Sequence, residues 1–252
     1  MDSQNIYVGD GGIERLAEIL RVEAPESVFV FTGKGSFDSS SFKEKFLAVL
    51  SGYKSVFYSD FNPNPTSVDV RQAEKVFNQQ KVGLVIAIGG GSVLDMAKLA
   101  LFFATTKLDV EKFLVSGESL PSQKMAAMVA IPTTAGTGSE STQFATIYID
   151  KKKYSLDRED CLAKYAIVDP TFTCDMPEVV AANTAADAFC QAVESFWSKR
   201  GTSESRKFAL SAIKLLLENT AEAIAGNCER AKLQVCIGSN LAGQAINISR
   251  TT

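Results

Sequence analysis

The most informative absence in this 252-residue chain is histidine, which does not occur at all. Histidine is the commonest metal ligand in proteins and the side chain that most readily takes up and releases a proton near pH 7. Any mechanism for this chain must therefore work without an imidazole, or must take one from residues outside this sequence.

Several other features are scarce, and each scarcity excludes a class of protein. The formal net charge is only −3, so the chain has no general attraction to nucleic acids or anionic membranes. No apolar stretch has the length of a membrane span, and the N-terminus MDSQNIYVGD does not have the pattern of a signal peptide. The five cysteines are odd in number and lack C-x-x-C spacing, which predicts reduced, mostly buried thiols in a cytoplasmic protein.

A triple glycine in the segment LVIAIGGGSVLDMAKLA, residues 84–100, is the feature around which the chain is organised. Five apolar residues run directly into Gly89, Gly90 and Gly91, which predicts a buried parallel strand, and a helical pattern capped by Ser92 follows. Without Cβ atoms, the amides at the helix start are open to an anion, usually a nucleotide pyrophosphate. The alternative is a tight turn without a ligand. The pattern matches neither Gly-x-Gly-x-x-Gly nor the phosphate loop of ATPases, which disfavours an ordinary Rossmann or kinase site.

Alternating strand and helix patterns in the first two thirds of the chain predict a doubly wound parallel sheet. From Pro177 onward the sequence is alanine-rich and helical, and it lacks strand signals. We therefore predict an α/β fold in which a Rossmann-like domain, residues 1–170, precedes an all-helical domain, residues 171–252. The predicted strands are 5–9, 27–32, 54–59, 84–88, 125–131 and 166–169, with a hairpin at 144–156, and the predicted C-terminal helices are 179–197, 203–225 and 229–248.

The loops after the predicted strands supply candidate cofactor contacts, because ligands of such sheets lie beyond the carboxyl ends of the strands. An acidic residue commonly holds the adenosine ribose at such a strand end. Here Gly33 takes that place, with Lys34 and Ser36 nearby. Losing the carboxylate removes repulsion of a 2′-phosphate and Lys34 adds a cation, which favours NADP over NAD. A solvated turn explains this stretch equally well.

Two further patterns carry polar groups. The loop PTTAGTGSE, residues 132–140, combines small residues with hydroxyls that can hydrogen-bond a ligand, although a Gly/Thr-rich surface loop has the same composition. Asp187, Gln191 and Glu194 stand at i, i+4 and i+7, on one face of a predicted helix. Carboxylates at such spacing can bind a metal, but an amide is a poor ligand for a transition metal. The spacing alone favours a hydrated polar face.

Together these segments resemble the iron-containing alcohol dehydrogenase family, whose relatives include glycerol dehydrogenases and, more distantly, dehydroquinate synthase. The matching segments occur in the family's order: NPNPT (62–66), GGGSVLDMAK (89–98), PTTAGTGSE (132–140), VDP (168–170) and the helix around Asp187. The GGGSxxDxAK and PTTAGTGSE pair is highly specific. TGKGSF (32–37), STQFATIY (141–148), DAFCQAVESFWS (187–198) and AGQAINISRTT (242–252) resemble the phosphonoacetaldehyde reductase branch.

The resemblance implies a dehydroquinate synthase-like fold, an NADP or NAD cofactor and a divalent iron or zinc ion. Typical members place a histidine where Gln191 stands, and two more histidine ligands downstream of the segment 242–248. This sequence stops at Thr252, so we expect that the C-terminal part of the helical domain is missing and that the metal site is incomplete. Metal ligands are then Asp187 and Gln191, and catalytic candidates are Asp187 and Lys98. The full cofactor-binding prediction comprises Gly33, Lys34, Ser36, Asn64, Gly89, Gly90, Gly91, Ser92, Asp95, Thr133, Thr134, Thr137 and Thr142.

Three functions follow from these residues. The first is an NAD(P)H-dependent oxidoreductase that interconverts a small aldehyde and its primary alcohol; for phosphonoacetaldehyde, Lys98 and Lys153 are candidate cations for the phosphonate. The second is a nucleotide-binding fragment without catalysis, and the third is a dehydroquinate synthase-like lyase that uses NAD transiently. In each case we expect a small-molecule partner, no nucleic acid, no membrane, and a homo-oligomer in the cytoplasm.

Overall fold

The computed structural model describes residues 4–117, 120–225 and 228–251. In chain order the strands are β1 (Asn5–Val8), β2 (Ser27–Thr32), β3 (Lys54–Tyr58), β4 (Leu84–Gly89), β5 (Ala127–Pro132), β6 (Phe144–Ile149), β7 (Lys152–Asp157) and β8 (Tyr165–Val168). Six of them form one parallel sheet in the order β1-β8-β5-β4-β2-β3, and β6 and β7 form a separate antiparallel hairpin. The hairpin turns through Asp150 and Lys151, both with positive φ, as a tight two-residue turn requires.

Helices cover both faces of the sheet because its strands are apolar on both sides. The helices are α1 (Gly12–Glu23), α2 (Lys43–Leu50), α3 (Ser67–Asn78), α4 (Gly91–Thr106), α5 (Val110–Ser116), α6 (Glu178–Trp197), α7 (Ser203–Ile224) and α8 (Glu229–Ser249). Phe29 and Phe31 of β2 pack toward one face, with α3, α4 and α5, while Val28 and Val30 pack toward the other, with α1 and α2. The prediction of a doubly wound parallel sheet is therefore confirmed.

The last three helices form a bundle in which small side chains make many of the contacts, as their alanine content predicts. Ala188, Ala192 and Ala212 are fully buried in its core. A Cβ on Gly238 of α8 would lie 2.9 Å from a Leu216 side-chain carbon, so α7 and α8 approach closely there. The predicted helical region is confirmed; the exact domain boundary at residue 170 stays a prediction, since the last strand ends at Val168 and α6 begins at Glu178.

Three details differ from the sequence predictions. The segment 108–123, which has no clear pattern, contains the short helix α5, whose N-terminus is capped by the Asp109 side chain. Ser92 is not an N-cap, because Gly90 takes that position and α4 begins at Gly91. All five cysteines are free thiols, but Cys174 and Cys190 are exposed rather than buried. Among the described residues, no helix combines the length and apolar character that crossing a bilayer requires.

Candidate dinucleotide-binding crevice

Three neighbouring strands bring the predicted ligand loops to one edge of the sheet. Thr32 of β2 pairs with Ile88 of β4, and Gly89 of β4 pairs with Pro132 of β5. The segments that begin at Gly33, Gly90 and Thr133 therefore leave the sheet side by side. This is the carboxyl edge, where parallel α/β sheets bind their ligands.

The triple-glycine corner presents unpaired amides at the start of α4. Gly90 is the N-cap, and the first helical hydrogen bond runs from the Val93 amide to the Gly90 carbonyl (2.9 Å). Within the described chain, no acceptor is found for the amides of Gly90, Gly91 and Ser92. The first turn of this 16-residue helix carries no acidic residue. The corner therefore offers an anion three N–H donors and the positive end of the helix dipole.

The space available for a Cβ atom differs among the three glycines. A Cβ on Gly89 would lie 2.4 Å from a methyl carbon of Val93, and one on Gly91 would lie 2.7 Å from a methyl carbon of Thr137. Packing alone thus explains these two, as the tight-turn alternative supposes. At Gly90 the nearest atoms, both of Thr134, would be 3.5 Å from a Cβ. Gly90 is therefore the glycine that protein packing does not require.

A cavity of about 240 Å³ lies directly beside Gly90. Its walls come from the loop after β2, through Ser36, from the loop after β5, through Thr133 and Thr134, and from α6, through Val180. The cavity thus connects the sheet edge with the helical region. Its position fits a nucleotide whose diphosphate contacts the amides of the corner.

The NPNPT loop is held against the same corner. Asn64 has a left-handed backbone (φ 60°), and its amide donates to the Ser92 hydroxyl oxygen at 3.1 Å. Thr66 and Asp69 form a capping box that fixes the start of α3. Asn64 is exposed at the crevice, as a cofactor contact requires, and the Ser92 side chain orders this loop rather than capping α4.

The end of β2 carries no carboxylate at Gly33, but the neighbouring loop brings one close to Lys34. The Ser36 hydroxyl oxygen lies where a Gly33 side chain would begin, 2.4 Å from a Cβ placed there. The ammonium of Lys34 is paired with the Asp60 carboxylate at 3.1 Å. Asp60 follows β3, and sequence analysis missed it because only the pairing of β2 with β3 brings the two loops together.

Lys98 occupies a position different from the one predicted. Its side chain is fully buried, and its ammonium donates to the carbonyls of Ser139 (2.6 Å), Thr142 (2.7 Å) and Phe144 (2.9 Å). Burial lowers the pKa of the Lys98 ammonium, and the nearby Asp95 opposes that shift. An ammonium with these bonds cannot reach a substrate phosphonate in the crevice. Lys98 instead anchors the segment that follows the PTTAGTG loop.

Asp95 and Thr142, both predicted to bind cofactor, belong to this anchor. Asp95 accepts from the Ser139 hydroxyl (2.7 Å) and from the Thr146 amide (2.9 Å), and burial raises its pKa against the opposing charge of Lys98. Thr142 is buried, with its side chain beside the Lys98 ammonium. Lys153 remains exposed on β7, and its charge also acts on Asp95.

A second anchor joins the same loop to the helical region. The buried Glu140 carboxylate accepts from the Asn240 side-chain amide of α8 at 2.9 Å, and burial raises the pKa of Glu140. Gly138 packs on Gly243 of α8 so closely that a Cβ on Gly138 would lie 2.5 Å from the Gly243 Cα. Asn240 carried no sequence signal of this role. The loop that bears Thr133, Thr134 and Thr137 is therefore held from two sides.

Asp187 and Gln191 lie together on α6, but they do not make a complete metal site. The Gln191 side-chain nitrogen donates to the Asp187 carboxylate at 2.9 Å, and its Oε1 is buried without a hydrogen-bond partner. No group of three or more His, Cys, Asp or Glu residues that could hold a metal ion occurs in residues 4–117, 120–225 and 228–251. Two oxygen donors fall short of the three protein ligands that catalytic zinc and non-haem iron sites usually have. These residues alone therefore do not fit a catalytic metal centre.

A parallel sheet with an open helix N-terminus beside its central strand is the architecture of the dinucleotide-binding α/β proteins. Comparison with known families then identifies the class more closely. The iron-containing alcohol dehydrogenase family matches residues 3–170, and the chain belongs to this family.

Individual relatives and solved structures agree with this assignment. The chain is 36% identical over 196 residues to long-chain-alcohol dehydrogenase 1 of Geobacillus thermodenitrificans, a match that covers 77% of this chain and 50% of that protein. It is similar to the solved sulfoacetaldehyde reductase of Bifidobacterium kashiwanohense in complex with NAD⁺ (TM-score 0.92, 30% identity, 100% of this chain and 67% of that one). It is also similar to an iron-containing alcohol dehydrogenase of Thermotoga maritima (TM-score 0.89, 27% identity, 100% and 69%). The chain thus spans half of the curated relative and about two thirds of these solved chains.

Proposed function

We propose that this chain is the cofactor-binding part of an NAD(P)H-dependent oxidoreductase that interconverts a small aldehyde and its primary alcohol. The observation that carries the proposal is the unpaired glycine corner of a chain that belongs to the alcohol dehydrogenase family. In this proposal the amides of Gly90, Gly91 and Ser92 bind the diphosphate. The adenosine then lies toward Gly33, and the nicotinamide lies toward Thr133, Thr134 and α6.

The contribution of these residues to catalysis is to bind and orient the cofactor. Hydride transfer needs the nicotinamide carbon fixed against the substrate carbonyl, and a loop anchored both to Lys98 and to α8 provides that positioning. In the family a divalent metal polarises the carbonyl oxygen when it is bound. Since Asp187 and Gln191 do not complete such a centre, we assign these two residues no step in the reaction.

The test of the proposal is direct titration. We expect NADPH to quench protein fluorescence saturably. Oxidation of NADPH in the presence of phosphonoacetaldehyde, measured with and without added Fe²⁺, Zn²⁺ or Mn²⁺, would then establish the oxidoreductase activity. Saturable binding without turnover would instead favour a nucleotide-binding module. The shortage of metal ligands around Gln191 also supports that alternative. A dehydroquinate synthase-like lyase regenerates its cofactor in each cycle, so net oxidation of NADPH would exclude it.

An anionic aldehyde is the proposed substrate class. One solved neighbour is by name a sulfoacetaldehyde reductase, and phosphonoacetaldehyde carries its negative group at the equivalent carbon. Lys153, exposed near Asp95, remains the candidate cation for the phosphonate, whereas Lys98 is withdrawn from that role. The homo-oligomeric state and the cytoplasmic location stay predictions from the sequence.

We expect NADPH to bind more tightly than NADH, and Gly33→Asp to weaken NADPH binding by about tenfold, because the new carboxylate would repel a 2′-phosphate. The same carboxylate can accept from a ribose hydroxyl, so NADH should bind more tightly. Isothermal titration with both cofactors measures the two effects.

The matched control is Gly33→Asn, which has the same size without the charge. Both variants displace the Ser36 hydroxyl that occupies this space, so packing costs cancel between them. If Asp and Asn change the ratio of the two affinities equally, or if the unmodified protein binds NADH at least as tightly as NADPH, the argument from Gly33 is wrong.

A further inference from the structure

We infer that Asp60 is a specificity-determining residue that weakens binding of a 2′-phosphate by pairing with Lys34. The inference rests on the proposed function, since it concerns the adenosine end of the same nucleotide site. Its physical basis is that Lys34 is the cation nearest to Gly33 along the chain, and its charge is already balanced by a neighbouring carboxylate.

The geometry of the pair is set by adjacent strands. β2 and β3 are neighbours, with Phe31 opposite Tyr58, so the loops that follow them emerge together at the carboxyl edge. Lys34 belongs to the first loop and Asp60 to the second, and their side-chain atoms Nζ and Oδ1 are 3.1 Å apart. Both side chains are largely in solvent, 57% and 84% exposed.

Neighbouring residues hold the Asp60 backbone, which defines the point from which its exposed carboxylate extends. The Tyr58 hydroxyl donates to the Asp60 carbonyl at 3.0 Å, and Phe61 on the other side is buried. The Tyr58 and Phe61 rings stack with centroids 6.2 Å apart. Asp60 therefore presents its charge from an ordered turn.

The expected position of the nucleotide brings its 2′-phosphate to this pair. In the proposed function, the diphosphate lies at the end of β4. On one side of it, the loop after β5 packs against α6 through Gly136 and Thr184, and the nicotinamide is placed there. The adenosine must then extend along the other neighbour, β2, toward Gly33 and Lys34. A 2′-phosphate there meets one attractive and one repulsive charge.

An exposed ion pair contributes little to stability, so Lys34 can leave Asp60 at little cost. The repulsion between Asp60 and the phosphate remains after the pair has opened. The charge of Asp60 therefore penalises NADPH and leaves NADH, which has a hydroxyl in that place, almost unaffected.

The experiment measures dissociation constants of NADPH and NADH for the unmodified protein and for Asp60→Asn. We expect the variant to bind NADPH about three- to tenfold more tightly, with NADH changed less than about twofold, and the gain should shrink in 0.5 M salt because exposed charges are screened. The matched control is Asp38→Asn. Asp38 lies in the loop after β2 but is paired with Lys43 at 2.6 Å, and its removal should leave the ratio of affinities unchanged.

The outcomes separate the inference from the proposed function. An unmodified protein that binds neither cofactor overturns both. If it binds NADPH but Asp60→Asn leaves the ratio unchanged, strengthens both cofactors equally, or acts no differently from Asp38→Asn, only the inference is overturned. Lys34→Met should weaken NADPH binding, and equal NADPH affinities of Lys34→Met and the unmodified protein would also overturn it.

Discussion

Replacing Gly90 with valine is expected to weaken NADPH binding at least about 100-fold while the protein stays folded. A Cβ at this position would contact only Thr134, at 3.5 Å, and would face the cavity that both residues line. The isopropyl group would occupy the space through which diphosphate oxygens approach the amides. Charge-assisted hydrogen bonds contribute about 1.5–3 kcal/mol each, so losing two of them accounts for such a factor.

Two companion variants make this result specific. Gly52→Val adds a side chain at a glycine outside the crevice, where a Cβ would have nothing within 4 Å, and should leave binding unchanged. Gly91→Ala should lower stability as well as binding, because its Cβ would lie 2.7 Å from Thr137. Calorimetric titration and thermal unfolding measure both quantities. NADPH binding by Gly90→Val as tight as by the unmodified protein would show that the cofactor does not use this corner.

The variant Lys98→Met is expected to lower the free energy of unfolding by about 3–5 kcal/mol. The substitution keeps most of the buried chain length but removes the donor shared by three main-chain carbonyls. It also leaves the partly enclosed Asp95 without its nearby cation. Unpaired buried polar groups are expensive, so the segment that follows the PTTAGTG loop should lose its fixed position.

Chemical denaturation with urea measures this loss. The control is Lys75→Met on α3, where the lysine is exposed, and its effect should stay within about 0.5 kcal/mol. NADPH affinity should fall in Lys98→Met even under conditions where the variant is still folded, since the loop that carries Thr133 and Thr134 is no longer anchored. A loss of stability below about 1 kcal/mol would contradict the anchoring role assigned to Lys98.

Most of the fold could be predicted because each element has a local signal of its own. The six residues of β4 are all buried, and their unbroken apolar run predicts a strand covered on both faces. Thr66 with Asp69 marks the start of α3 as a capping box, and alanines mark the closely packed C-terminal helices. Helix α5 was missed because seven residues between Val110 and Ser116 are too few to show a period.

The candidate site was less predictable because its contacts join distant parts of the chain. Lys98 is a single charged residue among the apolar residues of α4. Nothing in the neighbouring sequence shows that carbonyls more than 40 positions away accept hydrogen bonds from its ammonium. Asp60 contacts Lys34 only because β2 pairs with β3, and Asn240 contacts Glu140 only because α8 packs on the loop. The sequence does not show which strands pair or where a helix packs. The Ser92 side chain could cap a helix, but α4 already begins at Gly91 with Gly90 as its N-cap.

A crystal structure of this chain with NADPH would show directly how the diphosphate is held. We expect diphosphate oxygens about 2.7–3.2 Å from the amide nitrogens of Gly90, Gly91 and Ser92, the range of ordinary hydrogen bonds. A structure in which NADPH is bound elsewhere, or in which side chains hold the diphosphate while these three amides face only solvent, would contradict this expectation.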